Sequence, residues 1–591
     1  MGELSFAENR EDNVVKRTSS AAVIILICIC LFHIIHNFWW VNRDVLSWYP
    51  EKYYQLMYKN IIFFHSRDII HSGQSWPEKF ITLAKLIKTE SGWDWGMVFY
   101  LYTSGINLIF GNTVNVSLLG NLPFFILLII STFLIGKEVS GEKAGVLAAF
   151  LVSFYPGIYG MSRSYGVDFP LTAMVALCSY ILIAKDLTKP KYALLFGLLL
   201  GLTLLVKITA IFFLSGPLVY IIYQHIRSSL QNKNKNGRIK PPVLAKLYPL
   251  FLIIAIPLLF LSLGWGSGRF GNLLNHMDIF VFVAFIQRRH FYDVCLYGFS
   301  DLRNLFFYAY EIMYSLSRVF FLLFCTGFLF LLRKEIKQKM ALLLWAVVPY
   351  IIFTLDINKW GRYYFPAFPA LALITCVAVF QLKSGKFKTV LAALIVVFGL
   401  VQFYDLSFGS QLLPGALYKH PDYSFSAYPP VKTDESKVVS AFIATINRER
   451  KGQKDEPRVL LVAPHGLIDY GKLEYIFQKD YPGVKFSKFF ISGSDYRDCD
   501  YIIVANYPGH NYRPDIEFLK LPGYYGEFLK ISYPRSYLSD EELAQMHDFF
   551  AKFKTVDSYF GKDLFFYLCK NTISQRRIMK TGKLSNDSGA F

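Results

Sequence analysis

The sequence predicts an α-helical polytopic membrane protein followed by a small soluble α/β domain. Three observations carry that prediction. Of the 591 residues, 54% are hydrophobic and only 18% are charged, whereas soluble domains average about a quarter charged. Apolar runs of roughly 16–22 residues recur through the first two thirds, near the length a helix needs to cross the hydrocarbon core. From about residue 430 the pattern changes to polar helices and short apolar strands.

The expected spans are about 20–40, 116–136, 143–162, 169–184, 191–206, 208–224, 247–265, 315–332, 340–355, 364–382 and 388–405. The first ends in Phe38-Trp39-Trp40, an interfacial anchor. It is too long for a signal peptide and has no small-residue cleavage site, so it reads as an uncleaved span. Aromatic residues are abundant, 55 Phe and 39 Tyr, as lipid-facing and interfacial positions favour.

Charge sets the expected orientation. The formal net charge is +19, which in a soluble chain raises nucleic acid as a partner. Here the cations sit in short loops between apolar runs: Lys185/Lys189/Lys191, then Arg227 through Lys246, Arg333 through Lys339, and Lys383/Lys386/Lys388. The expectation is therefore no nucleic-acid partner, cytoplasmic basic loops and a cytoplasmic amino terminus at Lys16-Arg17. An odd number of spans, about eleven, then places the carboxy-terminal part outside.

The expected organisation is a cytoplasmic segment 1–19, a membrane domain 20–405 with long outer loops 41–115 and 266–314, a linker 406–429, an extracytoplasmic α/β domain 430–570 and a polar tail 571–591. Residues 94–111 are apolar but would break the parity of every later basic loop if they crossed. They read as an interfacial or re-entrant helix, and 278–287 look similar. In the last third, 435–448 has helical spacing, 458–463 and 501–505 read as buried strands, Ser539 and Glu542 form a capping box before a helix through Phe553, and 555–560 and 563–569 read as a hairpin. The eight cysteines show neither CxxC nor zinc spacing.

Ionisable groups at membrane depth are costly and mark functional sites. Four places stand out, all at expected outer ends of spans. Asp44 follows the aromatic anchor, with Glu51 in the same loop. Asp168 stands in Ser162-Arg163-Ser164-Tyr165-Gly166-Val167-Asp168-Phe169-Pro170, where Arg163 and Asp168 share one short loop and a salt bridge between them is one reading. Lys207 interrupts an apolar stretch from Tyr192 to Tyr223. Arg362 lies in Asn358-Lys359-Trp360-Gly361-Arg362-Tyr363. Arg289 and His290 add positive charge in the loop 266–314. Acidic and basic groups converging at the lipid boundary suit an anionic lipid headgroup, and a guanidinium binds phosphate bidentately. No P-loop, dinucleotide fingerprint, HExxH or GxSxG is present, so ATP-driven transport and serine hydrolysis lack support.

At these residues the chain resembles the C-type (GT-C fold) membrane glycosyltransferases, glycosyltransferase family 39-like, in the branch of protein O-mannosyltransferases and the lipid A aminoarabinose transferase. The resemblance rests on Phe110-Gly111, on Phe154-Tyr155-Pro156-Gly157 with Ser162-Arg163 and Asp168-Phe169-Pro170, on Gly197 to Lys207, and on Gly361-Arg362-Tyr363 with Pro366 and Pro369. It covers residues 95–225 and again 359–370. It implies transfer of a sugar from a polyprenyl-phosphate donor to a hydroxyl of a glycan, lipid or protein acceptor on the outer face, with inversion. The catalytic candidates are then Asp44, Glu51 and Asp168. Lys207, Arg362, Arg163 and Arg289 are candidates for the donor phosphate, and Tyr363, His290 and Trp93 for substrate binding. The family usually has an Asp-Glu pair or a Trp-Asp context in the first outer loop. Here Asp44 precedes Val45, and Ser47-Trp48 precedes Tyr49, so Asp44 and Glu51 both stand as the base, with Asp44 nearer the end of the span. No cofactor is certain. Some family members use a divalent cation and others do not, and these residues leave the metal unknown. Competing readings are a lipid-linked saccharide ligase or polymerase, a transporter, and an inactive scaffold. A single interrupted stretch without an internal repeat argues against the transporter.

Overall fold

The computed structural model describes residues 18–42, 97–111, 114–231, 302–334, 338–355, 361–418 and 435–450, the strand segments 457–462, 484–488, 499–506, 553–560 and 565–571, and a few isolated positions. The chain divides into two compact units, one helical and one built on a sheet.

The helical unit begins with α1, Ser20–Val41, whose first turn is capped by the Ser19 hydroxyl accepting from the Ala22 amide at 3.2 Å. There follow α2 (Met97–Phe110), α3 (Val114–Leu119), α4 (Leu122–Ser140), α5 (Glu142–Phe154), α6 (Pro156–Ser162), α7 (Asp168–Ala184), α8 (Pro190–Val206) and α9 (Ala210–Gln231). After the undescribed stretch come α10 (Leu302–Leu316), α11 (Arg318–Arg333), α12 (Lys339–Leu355), a 3-10 turn (Gly361–Ala367), α13 (Phe368–Phe380) and α14 (Gly385–Phe408).

Among the described residues, Ser20–Val41, Asn115–Ser140, Gly361–Phe380 and Gly385–Phe408 are long and apolar enough to cross a membrane. Counting each of two bent pairs as one span makes six, and four shorter apolar helices accompany them. Their outward faces are apolar stripes at helical spacing: Ile24, Ile27, Leu31, Ile35 and Phe38 on α1, and Phe387, Val390, Leu394 and Val397 on α14, are exposed. Contiguous apolar surface of this kind belongs against lipid. The chain is thus a helical integral membrane protein. The expected span 247–265 and the segment 278–287 lie outside the described residues apart from isolated helical positions. The segment read as interfacial or re-entrant forms α2, whose 14 residues fall short of a span.

Two local devices shape the site. First, α4 and α5 cross where only glycine fits: a Cβ on Gly136 would stand 2.6 Å from Gly145 Cα, and one on Gly145 would stand 2.5 Å from the Phe133 carbonyl oxygen. Second, the expected single span 143–162 is broken. Pro156 forces Tyr155 into extended backbone (φ −67°, ψ 126°), and α5 and α6 meet at a bend of 64°. α13 lies deepest, with almost every side chain buried.

In the second unit, α15 (Glu435–Glu449) buries Val439, Phe442, Ile443 and Ile446, one helical face. Strands β1 (Arg458–Val462), β2 (Lys485–Lys488), β3 (Tyr501–Asn506), β4 (Phe553–Phe560) and β5 (Phe565–Asn571) form a sheet in the order β2-β1-β3-β5-β4. β1 runs parallel to β2 and β3, while β5 runs antiparallel to β3 and β4. Phe553, expected to end a helix, instead begins β4, where it pairs with Asn571 of β5. The capping-box residues Ser539 and Glu542 lie outside the described residues.

Candidate functional site

Three elements of the helical unit bring charged side chains together. Asp168 is the first residue of α7, where the helix N-terminus favours a carboxylate. Lys207 interrupts the α8–α9 stretch: its backbone is extended (φ −165°, ψ 129°) and its amide closes α8 on the Thr203 carbonyl. A lysine in mid-run therefore marks a true helix break. Arg362 and Tyr363 ride on the 3-10 turn before α13. That turn is anchored to α12 because Tyr364 donates to the Ala346 carbonyl at 2.6 Å and Trp345 donates to the Pro366 carbonyl at 3.1 Å.

Asp168 is the hub. Lys207 Nζ lies 2.6 Å from Asp168 Oδ1, with both side chains almost fully buried at 2% and 3% exposure. Arg362 Nε lies 3.3 Å from Asp168 Oδ2 and is 14% exposed. The Tyr363 ring faces Lys207 Nζ at 4.6 Å and the Arg362 guanidinium at 5.9 Å, a cation–π arrangement that steadies both. The loop ahead of Asp168 is fixed by Asn121, whose Nδ2 donates to the carbonyls of Ser162 at 3.1 Å and Ser164 at 2.7 Å.

Arg163 is placed differently from the sequence expectation. Asp168 pairs with Lys207 and Arg362, not with Arg163. Arg163 is buried between α1, α6 and α14. Its Nε donates to Asn37 Oδ1 and its Nη1 to Ser407 Oγ, each at 2.9 Å. Its guanidinium stands 5.0–5.2 Å from the rings of Trp40, Tyr159 and Phe403. Those partners pin the last turns of α1 and α14. Asp44, Glu51, Trp93, Arg289 and His290 lie outside the described residues.

One acid was missed by the sequence reading. Glu311 of α10 lies against Gly361, so that a Cβ there would meet Glu311 Oε2 and Cδ. The available signal was its isolation: it is the sole acidic residue between Asp301 and Glu335. Among the described residues no three His, Cys, Asp or Glu side chains group to hold a metal, while Asp44 and Glu51 lie beyond that description.

Chemically, the cluster is two cations and an aromatic ring gathered on one carboxylate, nearly dry, at a helix break. Such a group can take up an anionic oxygen: lysine as a point charge, arginine as a fork. Residues 94–260, which include Asp168 and Lys207, match the family described as dolichyl-phosphate-mannose-protein mannosyltransferase. The solved structure of ArnT from Cupriavidus metallidurans in the apo state is similar with a TM-score of 0.54, over 94% of this chain and 99% of that one, at 12% identity. ArnT bound to undecaprenyl phosphate gives 0.50 over 93% and 98%, at 11% identity. No curated protein matches the chain by sequence. The chain has the fold of the C-type membrane glycosyltransferases.

Proposed function

We propose that this protein is an integral membrane glycosyltransferase that moves a sugar from a polyprenyl-phosphate carrier to an acceptor hydroxyl on the outer face, with inversion. The observation that carries the reading is the buried Asp168–Lys207–Arg362 cluster at the α8–α9 break. The similarity to ArnT, solved with undecaprenyl phosphate, supports a lipid-linked donor.

In the proposed reaction the acceptor oxygen attacks the anomeric carbon and the bond from that carbon to the phosphate oxygen breaks. The polyprenyl phosphate leaves with the electron pair. Lys207 and Arg362 stabilise the negative charge that builds on that oxygen, an interaction strongest where water is excluded. The hydroxyl proton passes to a carboxylate acting as general base. Asp44 holds that role in this reading, with Glu51 as the alternative, and Asp168 acts as the counterion that keeps both cations aimed at the phosphate. Arg163, Arg289, His290, Tyr363 and Trp93 remain proposed donor- or substrate-side residues, and Arg163 acts by tying α1 to α14. The proposed arrangement places 430–570 outside the membrane as a separate α/β domain after the linker 406–429.

The test has two parts. The purified full-length protein in lipid nanodiscs should bind undecaprenyl phosphate, and Lys207→Ala and Arg362→Ala should weaken that binding. Mass spectrometry of glycolipids and envelope polymers from cells with and without the chain should then show one sugar modification lost. Retained lipid binding without any lost modification would favour an inactive scaffold. Vectorial lipid movement in proteoliposomes would favour a transporter, and longer lipid-linked chains a ligase or polymerase.

A further inference from the structure

Gly157 lies in the first turn of α6, just past the bend of 64° at Tyr155-Pro156, and it is buried. Two other elements close on its bare α-carbon. A Cβ built there would stand 2.9 Å from Ser315 Cβ on α10, and 3.1 and 3.2 Å from Phe365 Cζ and Cε1 on the 3-10 turn. Carbon atoms rest at about 3.5–4.0 Å, so neither neighbour leaves room for a methyl group. The Phe365 ring has little freedom to swing aside, because it is buried and the Phe368 ring backs it at 4.8 Å. The tip of Phe365 therefore takes the missing side chain of Gly157 as its seat.

Phe365 follows Arg362 by three residues on the same 3-10 turn, and side chains three apart eclipse one another in a 3-10 helix. The face of the turn that rests on Gly157 is thus the face that carries Arg362. We propose that Gly157 is a positioning residue for the charged cluster: the depth to which Phe365 seats on it sets the reach of Arg362 to Asp168. α12 holds the turn through the hydrogen bonds of Tyr364 and Trp345, and α6 limits how the turn settles. Arg362 Nε stands 3.3 Å from Asp168 Oδ2, so lifting the turn by a few tenths of an ångström would carry that contact out of hydrogen-bond range. Lys207 is not on the turn, and its 2.6 Å contact with Asp168 would persist. For its ligand the inference rests on the phosphate assignment made above.

The experiment measures undecaprenyl phosphate binding to the full-length protein in nanodiscs as a double-mutant cycle. Gly157→Ala should weaken binding by about 10-fold, the low end for a hydrogen bond to a charged group. In the Arg362→Ala background it should add little, and in the Lys207→Ala background it should again cost about 10-fold. Phe365→Leu, which takes the ring tip from its seat, should follow the same pattern, and it carries the comparison if Gly157→Ala does not fold. Combining the two substitutions should recover part of the loss. An undiminished loss in the Arg362→Ala background would show general disruption of α6 and overturn the proposal, and so would unchanged binding in both single variants. A second readout needs no lipid. Phenylglyoxal modification of Arg362, followed by peptide mass spectrometry, should run faster in Gly157→Ala and Phe365→Leu than in wild type, and equal rates would overturn the positioning role. If wild type does not bind undecaprenyl phosphate, the phosphate assignment falls, and the modification rates alone decide whether Gly157 positions Arg362.

Discussion

Asp168 serves two cations, and the two bonds are unequal. The Lys207 pair is short and hydrogen-bonded, whereas the Arg362 pair is longer. Removing one member of a buried pair strands the other and costs about 3–5 kcal/mol, so Lys207→Met and Asp168→Ala should each lower thermal stability clearly. Arg362→Gln should lower it less, because its contact with Asp168 is longer and Asp168 keeps its hydrogen bond from Lys207. Equal melting shifts for the three variants would contradict this ranking. Catalysis should respond differently: losing either Lys207 or Arg362 should slow transfer by about 30- to 1000-fold, the range for one charged contact made in the transition state. Asp44→Asn should cut turnover by about 100-fold or more with little change in donor affinity, and Glu51→Gln should do less. The reverse order in steady-state kinetics would move the base to Glu51.

Between elements, the joint of α10 and α11 is held by Ser317 at φ 80°, ψ 153°. That region suits glycine almost alone, and another residue there costs on the order of 1–3 kcal/mol. Ser317→Gly should therefore raise stability by about 1 kcal/mol after the added freedom of the unfolded chain is counted, while Ser317→Val should lower it. Unchanged unfolding in both would mean that the joint carries no strain. In the sheet, Tyr501 at the start of β3 is buried, and its hydroxyl finds no hydrogen-bond partner among the described residues. Burial is the main cause that pushes its phenol up to about 12; Arg450 opposes the rise, and Glu449 and Asp500 add to it. An unfolded tyrosine ionises near pH 10, so between about pH 10 and 12 the unfolded state holds fewer protons than the folded one. Stability must fall as pH rises through that window. Tyr501→Phe should flatten this alkaline loss, measured as sheet unfolding against pH, and an identical profile would remove Tyr501 from it.

At the scale of the whole molecule, the basic loops predict which parts of the chain face which side. Lys235→Cys and Ile336→Cys should be shielded from an impermeant thiol reagent in intact cells, and Ser75→Cys and Lys520→Cys should react. These readouts belong in a background lacking Cys28, Cys30 and Cys325, which are not buried. Labelling of residue 235 from outside would invert the arrangement and put the cluster on the other side.

The sequence alone determined the helical membrane class and the approximate limits of α1, α4, α7, α8, α12 and α14, because partition into lipid is decided segment by segment, by about 20 residues of transfer free energy at a time. The break at Lys207 was legible for the same local reason: a charge in mid-run needs a partner or an exit. Proline was legible too, but its effect at Tyr155-Pro156, a bend of 64° within one expected span, was not. Which charges meet was decided only by tertiary structure. Asp168 and Arg163 are close in sequence, yet the start of α7 turns one toward Lys207 and Arg362, while the end of α6 buries the other among Asn37, Ser407 and three aromatic rings. Glu311 lies against Gly361 because glycine leaves room there. Such pairings depend on the rotation of each helix about its axis and on the side chains packed between helices, and no window along the chain contains either.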